Sequence, residues 1–508
     1  MPVRASRIGC GGVPALPAPP TARRAAALVP VLVGITLVVA IISSLGAPLI
    51  PSVATSLDIT LDSAQWSLTA ALLAGAVSAP ILGRLGDGPY RREAIAGSLL
   101  VVLAGSLVAG VAESLPVLVV GRTMQGVGLG LAPITMAAAR DHLPPHRAPA
   151  VIGILSVSAA AGIGAGYPLS GLIAQGLGVH AAFLFGAVIS ALALGAALAV
   201  IPSSRESNRV PLDVRGAVVV AVGLVALLLA IGQGESWGWS SAVVVGLFAL
   251  SVVVFALWVR MQLACAAPLV DLRQLRHRPV LVADFAAVLL GLALYMFLTL
   301  VTEFVQTPVA EGYGFGATTL VAGLCLVPFS IASLAASRTM GPLMRRLGAR
   351  AVLVGGSLVI SAAGVFFALV HGALWEAFVT MGVVGIGFGY TFAAIPGLIT
   401  RAVPEEETGS AMGFYQVVRS IGFSVGSTLS ASILAGHTAV GAALPSERGY
   451  VVALWVGAGG CALAAVASGV LSAGAMVGAP SAERVQRDRD DARLAGAGLP
   501  DAESDRPR

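Results

Sequence analysis

Gly83-Arg84-Leu85-Gly86-Asp87-Gly88-Pro89-Tyr90-Arg91-Arg92 is a short charged turn between two long apolar runs, residues 65–83 and 94–112. A bilayer core about 30 Å thick needs roughly 20 apolar residues per crossing helix. Both flanking runs meet that length, so the quoted segment reads as a tight loop at a membrane surface. The same reading repeats along the chain. Apolar runs fall near 27–50, 65–83, 94–112, 116–138, 149–174, 180–201, 214–233, 241–263, 280–302, 317–337, 350–370, 373–400, 410–435 and 450–476, fourteen in all. The first is too long for a signal-peptide core and lacks a small-residue cleavage site, so it reads as a span.

Composition agrees. The 508 residues are 57% apolar with 62 Gly, and only 11% are charged. A soluble domain carries roughly 25% charged residues, so an ordinary soluble enzyme, a nucleic-acid binder and a disordered scaffold are all excluded. All 30 basic residues are Arg. With the N-terminus in the cytoplasm, 27 of the 30 fall in cytoplasmic connections or tails, leaving Arg122 and Arg419 inside spans and Arg448 outside. That is the positive-inside asymmetry of a multi-pass membrane protein. It accounts for the net charge of +5 as topology and gives no reason to expect nucleic acid as a partner. Trp237, Trp239 and Trp375 fall at the outer interface, where indoles anchor. Cys10, Cys265, Cys325 and Cys461 are far apart and match no metal or disulfide pattern.

The chain also repeats itself. Gly83-x-Leu85 recurs as Gly341-x-Leu343 and Arg92 as Arg350, Gly126-x-Gly128-x-Gly130 as Gly385-x-Gly387-x-Gly389, Pro144 as Pro404, and Gly162-x-x-x-Gly166 as Gly422-x-x-x-Gly426. One order at one slowly drifting offset pairs spans 2 to 5 with spans 10 to 13. The expected fold class is therefore all-α integral membrane, with 14 transmembrane helices forming two six-helix bundles plus two inserted helices. The expected division is a disordered cytoplasmic tail over 1–26, bundles over 27–201 and 280–476, an insert over 202–279 and a second tail over 477–508. Two related membrane halves meeting at the midplane are the architecture of alternating-access transporters.

Three segments carry a family resemblance: the 83–92 loop, Gly121-Arg122-Thr-Met-Gln125-Gly126 in span 4, and Gly153, Gly162, Gly166, Pro168 and Gly171 in span 5. In order and position they resemble the signature motifs of the major facilitator superfamily, and with fourteen spans its drug:proton antiporter branch. The resemblance implies the major facilitator fold and a secondary transporter that uses the proton gradient to expel small amphipathic compounds. This sequence departs from the branch in having Gly88 and Tyr90 where a basic residue and a Gly are usual, Tyr167 between Gly166 and Pro168, and no acid in span 1.

Candidate site residues follow from charge in an apolar background. A central Arg costs roughly 2.5–3.5 kcal/mol on insertion scales, so Arg122 should face a cavity, a counter-charge or backbone carbonyls. The resemblance gives it a role in proton coupling. Gln125 lies one turn on, as cavity wall or packing residue. In span 13, Tyr415, Gln416 and Arg419 make a polar patch on one face, either a cavity wall or a structural pair. Tyr295, Met296 and Phe297 are further candidates for an apolar cavity. Asp284, one turn into span 9, and Glu303, at its outer end, are the candidate proton carriers, unless each is a solvated or Arg-paired boundary residue. In the loop, Gly83, Asp87, Arg91 and Arg92 form a candidate gate, unless the loop is purely topogenic, an alternative that fits Arg91 and Arg92 better than Asp87. Asp87 can lie against the positive end of a helix of the opposite half, a contact worth up to ~2 kcal/mol. The span-5 glycines suggest a bend and close packing near the interface between halves.

The resemblance thus implies a proton-coupled exporter in the cytoplasmic membrane, and the arginine asymmetry places both termini in the cytoplasm. Its partners would be a small-molecule substrate, protons and the lipid bilayer. A monomer is compatible with two halves in one chain, and the oligomeric state is left open. No nucleotide motif, metal set, cofactor or nucleophile–base pair is found, so neither an ATP-driven pump nor an enzyme is expected. An importer or facilitator of one metabolite and a non-transporting membrane sensor are the alternatives.

Overall fold

The computed structural model describes residues 22–144, 147–202, 212–265, 267–276, 278–404, 407–439 and 444–471. The expectations for tail residues 1–21 and 477–508 lie outside them. Among the described residues the chain is helical throughout, with no strand.

The first half comprises α1 (Ala22–Ser44), α2 (Gly46–Leu57), α3 (Leu61–Gly86), α4 (Arg91–Gly110), α5 (Leu115–Gly126), α6 (Leu131–His142) and α7 (Ala148–Val200). Two inserted helices follow, α8 (Val214–Trp237) and α9 (Ala242–Ala264). The second half comprises α10 (Arg278–Gln306), α11 (Thr319–Leu324), α12 (Val327–Leu369), α13 (Leu374–Ala402), α14 (Thr408–Gly436) and α15 (Glu447–Leu471). Helix starts obey local rules. The side-chain oxygens of Thr60, Asp213, Ser241 and Thr318 accept the backbone N–H three residues on, and α5, α7 and α12 carry Pro in their first positions.

Three details correct the sequence reading. Residues 22–26, assigned to the tail, already belong to α1. The first span is interrupted at Leu45, so α2 continues it as a separate helix. The expected 338–349 connection is itself helical, and spans 10 and 11 part only at Gly348. Gly348 has φ 80° and ψ 158°, and Gly178, between spans 5 and 6, has φ 84° and ψ 172°. Only glycine adopts such angles without strain. Among the described residues, thirteen helical segments are long and apolar enough to cross a membrane. The break at Gly348 divides the longest, Thr319–Leu369, giving the fourteen spans expected.

Within each half the helices pack on one another. Across the halves α3 meets α14, α6 meets α14, and α7 meets α11, α12 and α13. The buried core is continuous over this seam, running from Ile152 and Leu155 on α7 to Phe388 and Ile395 on α13. Helix α9 is largely exposed and packs mainly on α8, whereas α8 touches both α3 and α14. The Trp66 and Trp237 rings lie 6.3 Å apart, and Thr428 donates to the Ile231 carbonyl at 3.2 Å. The insert is thus a hairpin anchored across one side of the seam.

Replacing Gly348 by Ala is expected to cost about 1–3 kcal/mol, because a Cβ is strained at that φ. Gly355→Ala, on an exposed helical face with open space around it, should leave stability unchanged or raise it by about 1 kcal/mol. Thermal unfolding of both variants in detergent checks the contrast.

Candidate functional site

At the arginine-rich end the halves are joined by hydrogen bonds between helices. Asp87 caps α3, is 4% exposed, and points at the first turn of α14 in the opposite half. Its two carboxylate oxygens accept the backbone N–H of Gly409 at 2.6 Å and of Ser410 at 2.9 Å. The first amides of a helix have no partner inside it, and here a carboxylate from another helix supplies one, on the positive end of the dipole. The approach requires glycine on both sides: a Cβ on Gly83 would strike the Gly409 carbonyl, and one on Gly409 would strike the Gly83 carbonyl and Asp87. Burial pushes the Asp87 carboxyl up from 3.8 to about 7, against the opposing pull of the bonds from Ser410 and Gly409 and of Arg84 at 4.0 Å. Arg140 adds to the seam, donating to the Thr408 hydroxyl at 2.6 Å and to the Val403 carbonyl at 3.2 Å.

Arg91 and Arg92 do not cross the seam. Arg91 donates to the Gly86 carbonyl and pairs with Asp141, and Arg92 donates to the Leu198 carbonyl, all within the first half. In this conformation they brace the loop that presents Asp87.

Deeper in, the hydroxyls of Ser156 on α7 and Tyr415 on α14 share a hydrogen bond of 3.2 Å across the seam. Arg419 donates to the Tyr415 hydroxyl at 3.4 Å and to Gln416 Oε1 at 2.7 Å. Rings of Phe392, Tyr415 and Phe423 surround its guanidinium, and Tyr295 packs on Phe423 with centroids 5.5 Å apart. Of the expected polar patch, Tyr415, Gln416 and Arg419 do come together. Nearby, Ser330 on α12 donates to the Ala161 carbonyl at 2.8 Å.

Arg122 is fully buried and faces no carboxylate among the described residues. It donates to Gln125 Oε1 at 2.7 Å and to the carbonyls of Ser67, Ile42 and Ser43 at 3.3–3.4 Å. The last two carbonyls lie just before the break at Leu45, where the helix ladder leaves acceptors free. Of the two sequence readings, the geometry in this conformation is that of the backbone-bonded Arg. Gln125 passes the link on to the Ser106 hydroxyl of α4 at 2.9 Å, so in this conformation it joins α5 to α4. Met296 and Phe297 are also corrected: both are fully buried, and their neighbours include Gly457 on α15 and, for Phe297, Gly364 on α12, inside the second half.

At the other end, Tyr295 and the exposed Glu303 on α10 lie within electrostatic reach of Tyr167 on α7, from the opposite half. Asp284 lies apart from them, 5% exposed, with one carboxyl oxygen lacking a partner among the described residues. It forms no ion pair with Arg278.

The span-5 glycines need reassignment. Gly162 and Gly166 face α1, where a Cβ would meet Ala40 and Ser44, whereas Gly171 has open space. The seam is met instead by Gly153 against Ala393, Gly164 against Ser330, and Pro168 against Gly323. Sequence reasoning missed Arg140, Ser156 and Tyr167. Tyr167 is visible in the sequence as an insertion between Gly166 and Pro168, whereas Arg140 reads there only as one of the cytoplasmic arginines. Ser156 carried no signal.

The comparisons with known proteins agree with this architecture. Residues 32–427 match the family model described as Major Facilitator Superfamily. The chain is 29% identical over 393 residues to the multidrug resistance protein Stp of Mycobacterium tuberculosis, covering 76% of this chain and 71% of that one. It is 27% identical over 439 residues to the tetracenomycin C resistance and export protein of Streptomyces glaucescens, covering 83% and 77%. Among solved structures, the human organic anion transporter MFSD10 superposes with a TM-score of 0.61 at 15% identity, over 88% of this chain and all of that one. The chain is a multi-pass membrane protein that belongs to the Major Facilitator Superfamily of transporters.

Proposed function

We propose that the protein is a proton-coupled exporter of small amphipathic compounds, working by alternating access from the cytoplasmic membrane. The observation that carries the reading is the Asp87 carboxyl seated on the amide end of α14. It joins two halves through one buried contact that can form and break as a unit. Relatives named for multidrug resistance and for tetracenomycin C export support the direction and the substrate range. Arginine asymmetry supports cytoplasmic termini and a cytoplasmic Asp87 end. With that orientation, the cytoplasmic entrance is closed here. The two halves that move are α1 to α7 and α10 to α15, with α8 and α9 as the insert between them.

In this mechanism Glu303 carries the proton. It is exposed, and it lies within electrostatic reach of Tyr167 of the other half. Asp284 is enclosed and apart from the seam contacts, which makes it the second choice. Arg122 acts by fixing the break between α1 and α2, so that this corner moves as a rigid piece.

Two measurements test the reading. The first follows the gate through labelling of a cysteine at Ala79, buried beneath Gly413, by an impermeant maleimide applied from the Asp87 side of the membrane. Asp87→Ala leaves two helix amides unpartnered, a loss of about 1 kcal/mol, so labelling should quicken roughly fivefold. The closed contact holds Asp87 at about 7 against 3.8 for a free carboxyl, so the closed form binds the proton more tightly. Closure is therefore strongest at low pH and weakens as pH rises through that interval, levelling off above about 7. Asp87→Asn should abolish the pH dependence.

The second uses proteoliposomes with an imposed pH gradient read by a pH-sensitive dye. Addition of a transported compound should collapse the gradient in the parent and in Asp284→Asn. In Glu303→Gln the collapse should fall to background. Compound movement without any proton flux in the parent would mean a facilitator.

A further inference from the structure

Arg419 is a buried cation without an anion. It is 2% exposed, and no carboxylate among the described residues pairs with it. A guanidinium carries five N–H donors. Only two find acceptors here, Gln416 Oε1 at 2.7 Å and, at the long distance of 3.4 Å, the Tyr415 hydroxyl. Its Nε has no partner among the described residues. The contrast with Arg122 is instructive, because that side chain has an acceptor for each of its three nitrogens. The two arginines share burial and an adjacent glutamine, but only one is satisfied. An unsatisfied charge buried in hydrocarbon is costly and is a functional-site candidate by default.

The surroundings say what could complete it. Phe392, Tyr415 and Phe423 place ring centroids 5.2, 5.3 and 5.5 Å from the guanidinium carbon. Tyr295 and Phe423, both only partly buried, pack together beside the Arg. The Tyr415 hydroxyl reaches Ser156 on the other half, so the group sits at the seam that opens when the halves separate. A guanidinium fork with free N–H groups selects a planar anion that accepts two parallel bonds. Ring walls select an aromatic or apolar body. A cation would meet like charge in a site with no acid to receive it.

We propose that Arg419 receives the acidic group of the substrate, so that the compounds carried are amphipathic anions with an aromatic body and a carboxylate-like head. This rests on the transport reading above and names its substrate class.

The test uses purified full-length protein in lipid nanodiscs and three fluorescent probes with one ring system: pyrenebutyrate, its methyl ester, and a pyrene-butyl trimethylammonium. The parent should bind the acid about tenfold or more tighter than the ester or the cation, as expected for a charge-assisted bond. Arg419→Met should lose that preference while leaving ester affinity in place. Arg419→Lys, which keeps the charge without the fork, should retain part of it. Equal binding of acid and ester by the parent overturns the proposal and requires no variant. So does an Arg419→Met protein, folded by its thermal transition, that loses acid and ester alike, since that is the signature of a structural role. The same probes loaded into proteoliposomes separate the two claims. Export of ester or cation without preference for the acid sinks the anion assignment and leaves export standing. Selective acid binding with no movement does the reverse.

Discussion

Backbone amides at the start of a membrane helix have no partner within the helix, and hydrocarbon offers no water to supply one. At the head of α14 that demand is met from outside, by the carboxyl of Asp87 on the loop after α3. Much of the seam is organised around this contact. Gly83 and Gly409 lack side chains so that the backbones can close on each other, Arg91 with Asp141 braces the loop, and Arg140 ties the same turn of α14 from a second direction. Burial disfavours the charged carboxyl while the amides favour it, and the balance falls near neutrality. A contact so poised can hold two halves together without holding them permanently.

The two buried arginines show how similar sequence signals diverge. Each has a glutamine three residues away and a nearby aromatic ring. Arg122 lies beside a helix break, whose freed carbonyls absorb its donors. Arg419 lies in a continuous helix, whose carbonyls are already used, and rings occupy the remaining space. What separates the satisfied arginine from the unsatisfied one is therefore the state of the neighbouring backbone.

Much of the fold was legible in the sequence because hydrocarbon imposes a simple rule: about 20 apolar residues per span, with arginine kept to one side. The Gly83 to Arg92 loop and the repeat at Gly341 to Arg350 could be read as a pair for that reason. The Asp87 contact was also legible, since an acid in a tight loop of a duplicated chain has few places to go. Side-chain partners were less so. Nothing in the spacing of Gly162 and Gly166 distinguishes a neighbour in the same half from one in the other, because both faces of α7 are packed. Met296 and Tyr295 are adjacent in sequence, yet one enters the second-half core and the other faces the seam, a matter of helix rotation that an apolar run does not encode.

The central claim is that the two halves move as bodies about a midplane site, with the Asp87 end and the opposite end opening in alternation. Pulsed electron spin resonance tests it with two label pairs at exposed positions, Tyr90 with Arg401 at one end and Glu113 with Trp375 at the other. In lipid, with pH or a transported compound varied, the first distance should lengthen as the second shortens. Two distances that stay fixed together, or change independently, would contradict the account.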